Sequence, residues 1–417
     1  MKLAVIGAGV IGIATAYELT RDGHEVTVFE RHDTAAEEAS FANGGLISPG
    51  SLAQLAAPGG ASGLFTHPAG LKLAGLPNTS QWRWLWRWRQ AAKSPQHAAN
   101  RLHMHRLAQY SQDRLTAITE AHQFEYDRSE GLLVLWRTER EATQAHAALQ
   151  PLRDQGAVLR DIDATQARQI EPSLNPDTPL HGALELPTAA AANCRQFTLL
   201  LKAQAQHLGC RFQFGTTVER LDTTHGVKLI VTGAPAPTQA FDGVVLCTGA
   251  ASAALLRPLG LHLPLQPVYG HSISAAVREP LDAPLSAVID GRHQVSISRL
   301  GQRVRVAGGA TLGGEPGAKS AAELRRLYRV LMDWFPGAAR LGGPKGSVQE
   351  WRGAQAMLPD GSPLVGSSGE PRVWLNLGHG GSGWAMACGS ARALADQIME
   401  RTPEIDLTPY SPTRIKR

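Results

Sequence analysis

The hydrophobic pattern of the first thirty residues predicts a strand, a helix and a second strand. Residues 3–6 form a short apolar run that glycines end, as in a strand buried on both faces. Helix-forming residues follow from 10 to 20, and Gly23 ends that helix. Residues 25–29 are a second apolar, partly β-branched run. This order predicts a parallel strand pair joined by a right-handed crossover.

Later patterns divide the rest of the chain into further helices and strands. Helical spacing occupies residues 81–93, 101–122, 139–155, 196–208, 321–334 and 384–399. Strand-like runs occupy residues 132–137, 210–214, 218–221, 227–231, 241–247, 295–298, 303–306 and 373–376. Residues 51–80 are rich in Gly, Pro, Ala and Ser, which indicates an irregular segment. Helices that interleave with strands in this way predict an α/β fold.

Residues Gly7–Gly12 read Gly-Ala-Gly-Val-Ile-Gly, and they stand between the first strand and the first helix. In this pattern the first glycine permits a tight turn, the second lets the backbone approach a pyrophosphate, and the third lets the helix pack on the strand. The N–H groups and the dipole at the start of the helix attract phosphate. Glu30 ends the second strand, where its carboxylate can accept ribose hydroxyls and repel a 2′-phosphate. An adenine dinucleotide is therefore expected, with NAD and FAD both open.

Two further segments favour FAD over NAD. Residues 242–250 form a buried strand that runs into Thr248-Gly249, and they resemble the second flavoprotein signature, in which a strand ends beside the cofactor. Residues 376–384 form a glycine loop that opens a helix near the end of the chain. The start of that helix can stabilise negative charge on the pyrimidine edge of a reduced flavin. A simple nicotinamide enzyme has no need for this third element, although an NAD-linked enzyme stays an alternative.

Four stretches resemble the bacterial FAD-dependent D-amino acid dehydrogenases, within the wider group of glycine oxidase and D-amino acid oxidase. They are residues 42–50, 306–309, 359–366 and 374–390. The resemblance implies that a D-amino acid or related amine gives a hydride to flavin N5 and that the imine then hydrolyses. It also implies these FAD contacts: Gly7, Gly9, Val10, Ile11, Gly12, Glu30, Arg31, Ser40, Asn43, Gly44, Gly45, Leu46, Val218, Thr248, Gly249, Gly378, His379, Gly380, Gly381, Ser382 and Gly383.

The same resemblance implies an α/β fold in which a Rossmann-like FAD-binding domain interleaves with an α+β substrate domain, as in glycine oxidase and D-amino acid oxidase. A chain of 417 residues suits two domains. We expect the FAD-binding domain to use residues 1–50, 185–260 and 345–417. The substrate-binding domain would use residues 51–184 and 261–344.

The substrate half departs from the family pattern. Where the family has an arginine that clamps the substrate carboxylate, this chain has Gln355, which lacks the charge and the fork of a guanidinium. Residues 189–194 read Ala-Ala-Ala-Ala-Asn-Cys, where the family often reads Asp-Glu-Thr-Gly-Asp-Cys. A Lys-Gly-Tyr stretch of the relatives is Tyr269-Gly270-His271 here. The cofactor half is intact, and the substrate half has been rewritten.

Two arginines are candidates to replace the lost one. Arg352 precedes Gln355 by three positions, so on a regular strand it points to the opposite face unless a bulge at Gly353 redirects it. Arg299 matches an arginine of the family pattern. For His271 and His379, a structural role and a contact near the flavin are both open. The catalytic candidates are Tyr269, His271, Arg299, Arg352, Gln355 and His379.

Gln355 also leaves open which substrate donates the hydride. One alternative is a flavin dehydrogenase for a hydroxy acid, or for an amine without an α-carboxylate. Another is a flavin-bound subunit without catalysis. The resemblance to dehydrogenases rather than oxidases implies a quinone as a possible electron acceptor.

Composition and charge exclude several classes. Hydrophobic residues make up 43% and charged residues 18%, which allows packed cores, and a net charge of +5 without a long basic run argues against nucleic acid. The four cysteines lie far apart without metal-ligand spacing, so we expect no metal and a reducing, cytoplasmic location. Glycines interrupt the apolar start, unlike a signal peptide, and no run reaches the roughly 18 residues of a membrane span.

Residues 82–89 combine four tryptophans with three arginines. Indole and guanidinium groups suit a lipid–water interface, and the resembling family includes membrane-associated dehydrogenases. A peripheral contact with the inner face of the cell membrane is therefore possible. The alternative is a helix packed between domains, because buried tryptophans are ordinary core material.

Overall fold

The amino terminus forms the predicted strand–helix–strand unit. β1 (Lys2–Ile6) and β2 (Glu25–Phe29) pair in parallel, and α1 (Val10–Arg21) connects them. The structure, a computed structural model, describes residues 1–48, 70–94, 96–315, 317–344 and 347–415. Pro49 and Gly50 of the stretch 42–50, and most of the predicted irregular segment 51–80, lie outside these residues.

A six-stranded sheet surrounds this unit in the order β18-β19-β12-β1-β2-β8. Its other strands are β8 (Arg211–Gln213), β12 (Gly243–Leu246), β18 (Leu364–Ser367) and β19 (Val373–Leu377). All neighbours pair in parallel except β18 and β19. The chain leaves β1 toward β2 on one side and meets β12 on the other, so the carboxyl end of β1 is a topological switch point, where α/β sheets bind ligands.

A three-stranded antiparallel sheet covers one face of the six-stranded sheet, and helices cover the other. The covering strands are β9 (Thr217–Asp222), β10 (Val227–Thr232) and β11 (Thr238–Phe241). The described helices after α1 are α2 (Thr79–Lys93), α3 (Gln96–His122), α4 (Glu139–Arg153), α5 (Ala164–Ile170), α6 (Cys194–His207), α7 (Ser252–Leu256), α8 (Ala321–Trp334) and α9 (Gly383–Ile398).

A larger, ten-stranded sheet is mostly antiparallel. Its main path runs β17-β13-β16-β15-β14-β5-β7-β3, with β4 on β16 and β6 on β7. Its strands are β3 (Leu46–Ile47), β4 (Lys72–Ala74), β5 (Arg128–Trp136), β6 (Arg160–Asp163), β7 (Gly182–Ala192), β13 (Gln266–Ala276), β14 (Ala287–Asp290), β15 (Val295–Leu300), β16 (Arg303–Gly313) and β17 (Gln349–Met357).

The two faces of the ten-stranded sheet differ in polarity because successive strand side chains point to opposite faces. On one face, apolar residues such as Ile273 and Val306 pack with Leu327 and Trp334 of α8. The other face carries the buried residues Ser272, Ser274, Ser296, Ser298 and Arg305. This polar face lies against residues 42–45.

Some strands of the ten-stranded sheet extend into segments that were assigned to the FAD-binding domain. The limit at residue 185 falls inside β7, and β17 pairs in the ten-stranded sheet although the FAD-binding domain was assigned residues 345–417. The division into two domains itself stays a prediction.

Candidate cofactor and substrate site

The chain's own packing requires the first and third glycines of the turn after β1. Gly7 has φ of +100°, and an added Cβ would lie 2.7 Å from the carbonyl oxygen of Cys247. A Cβ on Gly12 would lie 1.8 Å from the carbonyl oxygen of Gly7. The turn therefore closes tightly against the end of β12, as the glycine pattern predicts.

Gly9 differs, because the protein leaves space beside it. An added Cβ would meet only the hydroxyl of Ser40, at 3.4 Å. That hydroxyl accepts the Val10 N–H at 3.0 Å, which connects the segment from residue 40 to the start of α1. The free space at Gly9 fits the close approach of a pyrophosphate to the backbone.

Glu30 stands beside the same turn. Its carboxylate accepts the N–H groups of Ala8 at 2.8 Å and His32 at 3.0 Å. These bonds fix the carboxylate at the end of β2, where the ribose contact is expected. Arg31, another predicted contact, pairs with Glu38 at the surface.

The segment after β12 also has open backbone. Thr248 places its hydroxyl 2.8 Å from that of Ser252, and Gly249 has φ of +52° with no atom within 4 Å of an added Cβ. Val218, a predicted contact on β9, is buried in the core between the two smaller sheets.

Residues 42–45, here called the flavin loop, have every carbonyl oxygen bound by the ten-stranded sheet. The bonds are Ser272 Oγ to Ala42 O (2.6 Å), Arg305 Nη1 to Asn43 O (3.3 Å), Ser298 Oγ to Gly44 O (3.3 Å) and Ala192 N to Gly45 O (2.8 Å). The Gly45 N–H donates to the Asn43 side chain at 3.0 Å. The N–H groups of Asn43 and Gly44 have no hydrogen-bond partner within the described residues. Two backbone donors are thus free for a cofactor.

The glycine loop before α9 supplies another free donor. Gly378 and Gly380 have φ of +81° and +55°, which bends the chain into the helix. The Ser382 hydroxyl at its start is buried without a partner among the described residues. A buried hydroxyl without a partner is unfavourable unless a ligand supplies one. This donor and the positive end of a 16-residue helix fit the polar edge of a flavin.

Gln355 lies between the glycine loop and β13. A Cβ on Gly381 would be 3.1 Å from the Gln355 Oε1 atom, and one on Gly270 would be 3.1 Å from its Nε2 atom. The position that carries an arginine in the resembling family thus faces the glycine loop with a neutral amide.

The side chains of Tyr269, His271 and Arg352 lie on the face of the sheet opposite Gln355, and their catalytic roles stay predictions. β13 and β17 pair without a bulge, so Arg352 is not redirected. Its guanidinium lies 3.5 Å from the ring centre of Tyr269 and donates to the Gly313 carbonyl at 3.1 Å. His271 accepts the N–H of the residue that caps α8, at 3.2 Å, and burial lowers its pKa.

Arg299 and His379 each have hydrogen-bond partners within the protein. Arg299 lies on the α8 face and donates to the carbonyls of Gly301 (3.2 Å) and Pro280 (3.4 Å). His379 Nε2 lies 3.2 Å from the Ser390 hydroxyl, and burial lowers the pKa of this histidine to about 3. A neutral His379 ties the glycine loop to α9. Of the six catalytic candidates, Gln355 alone lies beside the glycine loop on the polar face.

Sequence reasoning missed the residues that hold the flavin loop. Ser272, Ser298 and Arg305 share the polar face of the ten-stranded sheet. The signal was present in two Ser-Ile-Ser repeats, at 272–274 and 296–298. A serine at every second position indicates a strand with one polar buried face.

Comparisons with known proteins agree with this geometry. The FAD dependent oxidoreductase family matches residues 2–397. A D-amino acid dehydrogenase of Cereibacter sphaeroides is 38% identical over 414 residues, which cover 97% of this chain and 93% of that protein. One of Allorhizobium ampelinum is 36% identical over 413 residues, 97% of this chain and 96% of that protein. Glycine oxidase of Geobacillus kaustophilus has the same fold, with a TM-score of 0.77, 23% identity, and coverage of 99% of this chain and 98% of that chain.

Proposed function

Because this chain belongs to the family of FAD-dependent oxidoreductases, we propose that it oxidises the C–N bond of a D-amino acid. The family excludes the NAD-linked alternative and makes the chain an enzyme. The D-amino acid dehydrogenases at 36% to 38% identity over nearly the whole chain support a substrate of that class. Within this chain, the proposal is supported by three hydrogen-bond donors that have no partner among the described residues: the N–H groups of Asn43 and Gly44 and the hydroxyl of Ser382. When bound, FAD supplies the hydride acceptor.

Different segments of the chain would bind different parts of FAD. The turn at Gly9 and the start of α1 would hold the pyrophosphate, and Glu30 would hold the adenosine ribose. The N–H groups of Asn43 and Gly44 and the hydroxyl of Ser382 would bind the polar edge of the flavin. Because these donors are fixed by the fold, they need no rearrangement when negative charge develops.

Gln355 holds the substrate beside the flavin. Its amide can donate hydrogen bonds to a carboxylate but adds no charge, so it selects for an α-carboxylate less strongly than an arginine would. This observation favours a second candidate substrate, an amine without an α-carboxylate. Its amide lies close to Gly270 and Gly381, where an added Cβ would come within 3.1 Å of it.

A product assay separates these substrates. The purified holoenzyme, with a dye as electron acceptor, is supplied with D-amino acids, their L-enantiomers, N-alkyl amino acids, simple amines and 2-hydroxy acids. Ammonia and keto-acid release from the D-amino acids, and not from the L-enantiomers, is the expected result. Turnover of amines alone would move the proposal to the second candidate. Turnover of hydroxy acids alone would overturn both.

Helix α2 offers a surface for a membrane that holds a quinone acceptor. Trp82 and Trp86 are 53% and 63% exposed, whereas Trp84 and Trp88 are buried. The exposed residues Trp82, Arg83, Trp86, Arg87 and Arg89 form the aromatic–arginine surface. Indole rings and arginines together favour an anionic lipid surface. Within the described ranges, no helix is long and apolar enough to span a membrane.

Sedimentation with vesicles tests this surface. Wild type should pellet with vesicles that contain phosphatidylglycerol and less with neutral vesicles, because basic residues near an anionic surface contribute about 1 kcal/mol each. Arg83→Gln/Arg87→Gln/Arg89→Gln should stay in the supernatant. Arg211→Gln, an exposed arginine on β8, is the matched control. Equal pelleting of the triple variant and wild type would contradict the proposal.

A further inference from the structure

Arg305 is a buried cation behind the flavin loop. It lies on β16, between Ser274 of β13 and Ser298 of β15, and only 7% of it is exposed. Its Nη1 atom donates to the carbonyl oxygen of Asn43 at 3.3 Å. Its Nε–H group is buried and has no partner in the part of the chain that the structure describes.

Among the described residues, no acidic group lies close enough to pair with Arg305. Arg305 forms no ion pair within the described residues, and Asp127, the carboxylate that acts on it, instead accepts a hydrogen bond from Asn193 at 3.2 Å. Cys194 nearby stays a neutral thiol because burial raises its pKa to about 11. Burial lowers the pKa of Arg305 to about 10, so it remains protonated at neutral pH.

The bond from Arg305 also sets the direction of a free donor. In a planar trans peptide, the C=O of one residue and the N–H of the next point in opposite directions. Ser272 holds the Ala42 carbonyl toward the sheet, so the Asn43 N–H points away from it. Arg305 holds the Asn43 carbonyl in the same way, so the Gly44 N–H points away too. These are the two free N–H groups of the flavin loop.

We propose that Arg305 is a positioning residue of the flavin site that aims the Gly44 N–H at the flavin and favours its reduced, negatively charged state. A buried cation without a counter-ion is unfavourable until a negative charge arises nearby. Reduction of the flavin would supply that charge, and the burial of Arg305 limits its screening by water. The inference rests on FAD binding, which the family shows, and does not depend on which donor is oxidised.

The test separates charge from hydrogen bonding at position 305. Arg305→Lys keeps the charge, Arg305→Gln keeps a donor without charge, and Arg305→Met keeps neither. Arg303→Met is the matched control, since Arg303 lies on the same strand and bonds to Ser274 rather than to the flavin loop. The readouts are the flavin content, the midpoint potential against reference dyes, and the dissociation constant of sulfite, which adds to oxidised flavin and bleaches it. None of these needs a substrate.

Arg305→Gln and Arg305→Met should bind sulfite at least tenfold more weakly than wild type. A tenfold change corresponds to a potential about 30 mV lower for a two-electron couple. Arg305→Lys and Arg303→Met should stay within threefold of wild type. If Arg305→Met loses its flavin, the comparison of Arg305→Gln with Arg305→Lys still shows whether the charge at position 305 matters. Equal potentials and sulfite affinities in the glutamine and lysine variants would overturn the proposal and leave Arg305 a structural residue.

Discussion

At the residue scale, we propose that position 355 determines how strongly a substrate carboxylate is bound. Gln355 offers a neutral amide beside Gly270 and Gly381, and the arginines at 299 and 352 lie on the other face of the sheet. Hydrogen bonds to charged groups contribute about 1.5–3 kcal/mol, against about 0.5–1.5 kcal/mol for neutral pairs. A guanidinium at this position therefore gains most for substrates that carry a carboxylate.

Gln355→Arg should raise kcat/KM for simple D-amino acids by about tenfold to a hundredfold, since about 1.4 kcal/mol is a factor of ten. Gln355→Glu, of matched size and opposite charge, should lower it. Amines without a carboxylate should gain nothing from the arginine. Steady-state kinetics with D-alanine and a matched amine measure both effects. An unchanged kcat/KM for D-alanine in both variants would place the carboxylate elsewhere.

His379 should make the free energy of unfolding depend on pH. Burial lowers its folded pKa to about 3, so the unfolded chain binds the extra proton as pH falls below about 6.5. Stability is therefore present above the unfolded pKa and falls as the pH drops from about 6.5 toward about 3, by about 2 kcal/mol at pH 5. Urea unfolding at pH 7.5 and pH 5 should show that His379→Gln loses less stability between them than wild type. An equal loss in both would contradict a neutral buried His379.

At the element scale, the turn between β1 and α1 was predicted from its glycines and the longer helices from their periodicity, whereas the short helices α5 and α7 were not predicted. Residues 321–334 form α8 as predicted, because their apolar residues recur at helical spacing and so indicate the buried face. β7 was not predicted. Its last four residues are alanines, which favour helices in isolation, yet pairing with β5 and β3 makes them a strand. The face that each of Tyr269, His271 and Gln355 occupies needed the register of β13 and β17, which only tertiary pairing sets.

Gly9→Val should abolish FAD retention while the protein stays folded. Gly9 has φ of −71° and ψ of 176°, which a side chain tolerates, and the nearest protein atom to an added Cβ is 3.4 Å away. The new side chain would occupy the space of the pyrophosphate. Circular dichroism and the flavin-to-protein absorbance ratio measure the two effects. Gly342→Val, at a site with no atom within 4 Å, is the control. Normal flavin content in the Gly9 variant would refute the cofactor placement.

At the scale of the whole molecule, an ion-pair network joins the dinucleotide helix to the rest of the fold. Glu18 of α1 is fully buried and bonds to Arg114 of α3 at 2.8 Å and to Arg392 of α9 at 2.6 Å. Arg392 also pairs with Asp22 and Asp396. The buried carboxylate of Glu18 on α1 thus also binds α9, the helix that starts at the glycine loop. The sequence could not reveal this, since the partners lie up to 374 positions apart.

Glu18→Gln should lower the free energy of unfolding by about 3–5 kcal/mol, because Arg114 loses the carboxylate it pairs with and Arg392 keeps only Asp22 and Asp396. Glu25→Gln, which breaks the exposed pair with Arg211, should cost less than about 1 kcal/mol. Urea unfolding of the holoenzymes measures both. A Glu18 variant as stable as the Glu25 variant would show that the network does not clamp the helices.

The central claim is that this chain reduces its own FAD with electrons from a D-amino acid. Anaerobic mixing of the purified holoenzyme with D-alanine, followed at the visible flavin absorbance, tests it without any assumption about the final acceptor. Bleaching that saturates with D-alanine, and none with L-alanine at the same concentration, is the predicted result. A flavin that dithionite bleaches but no D-amino acid does would contradict the account.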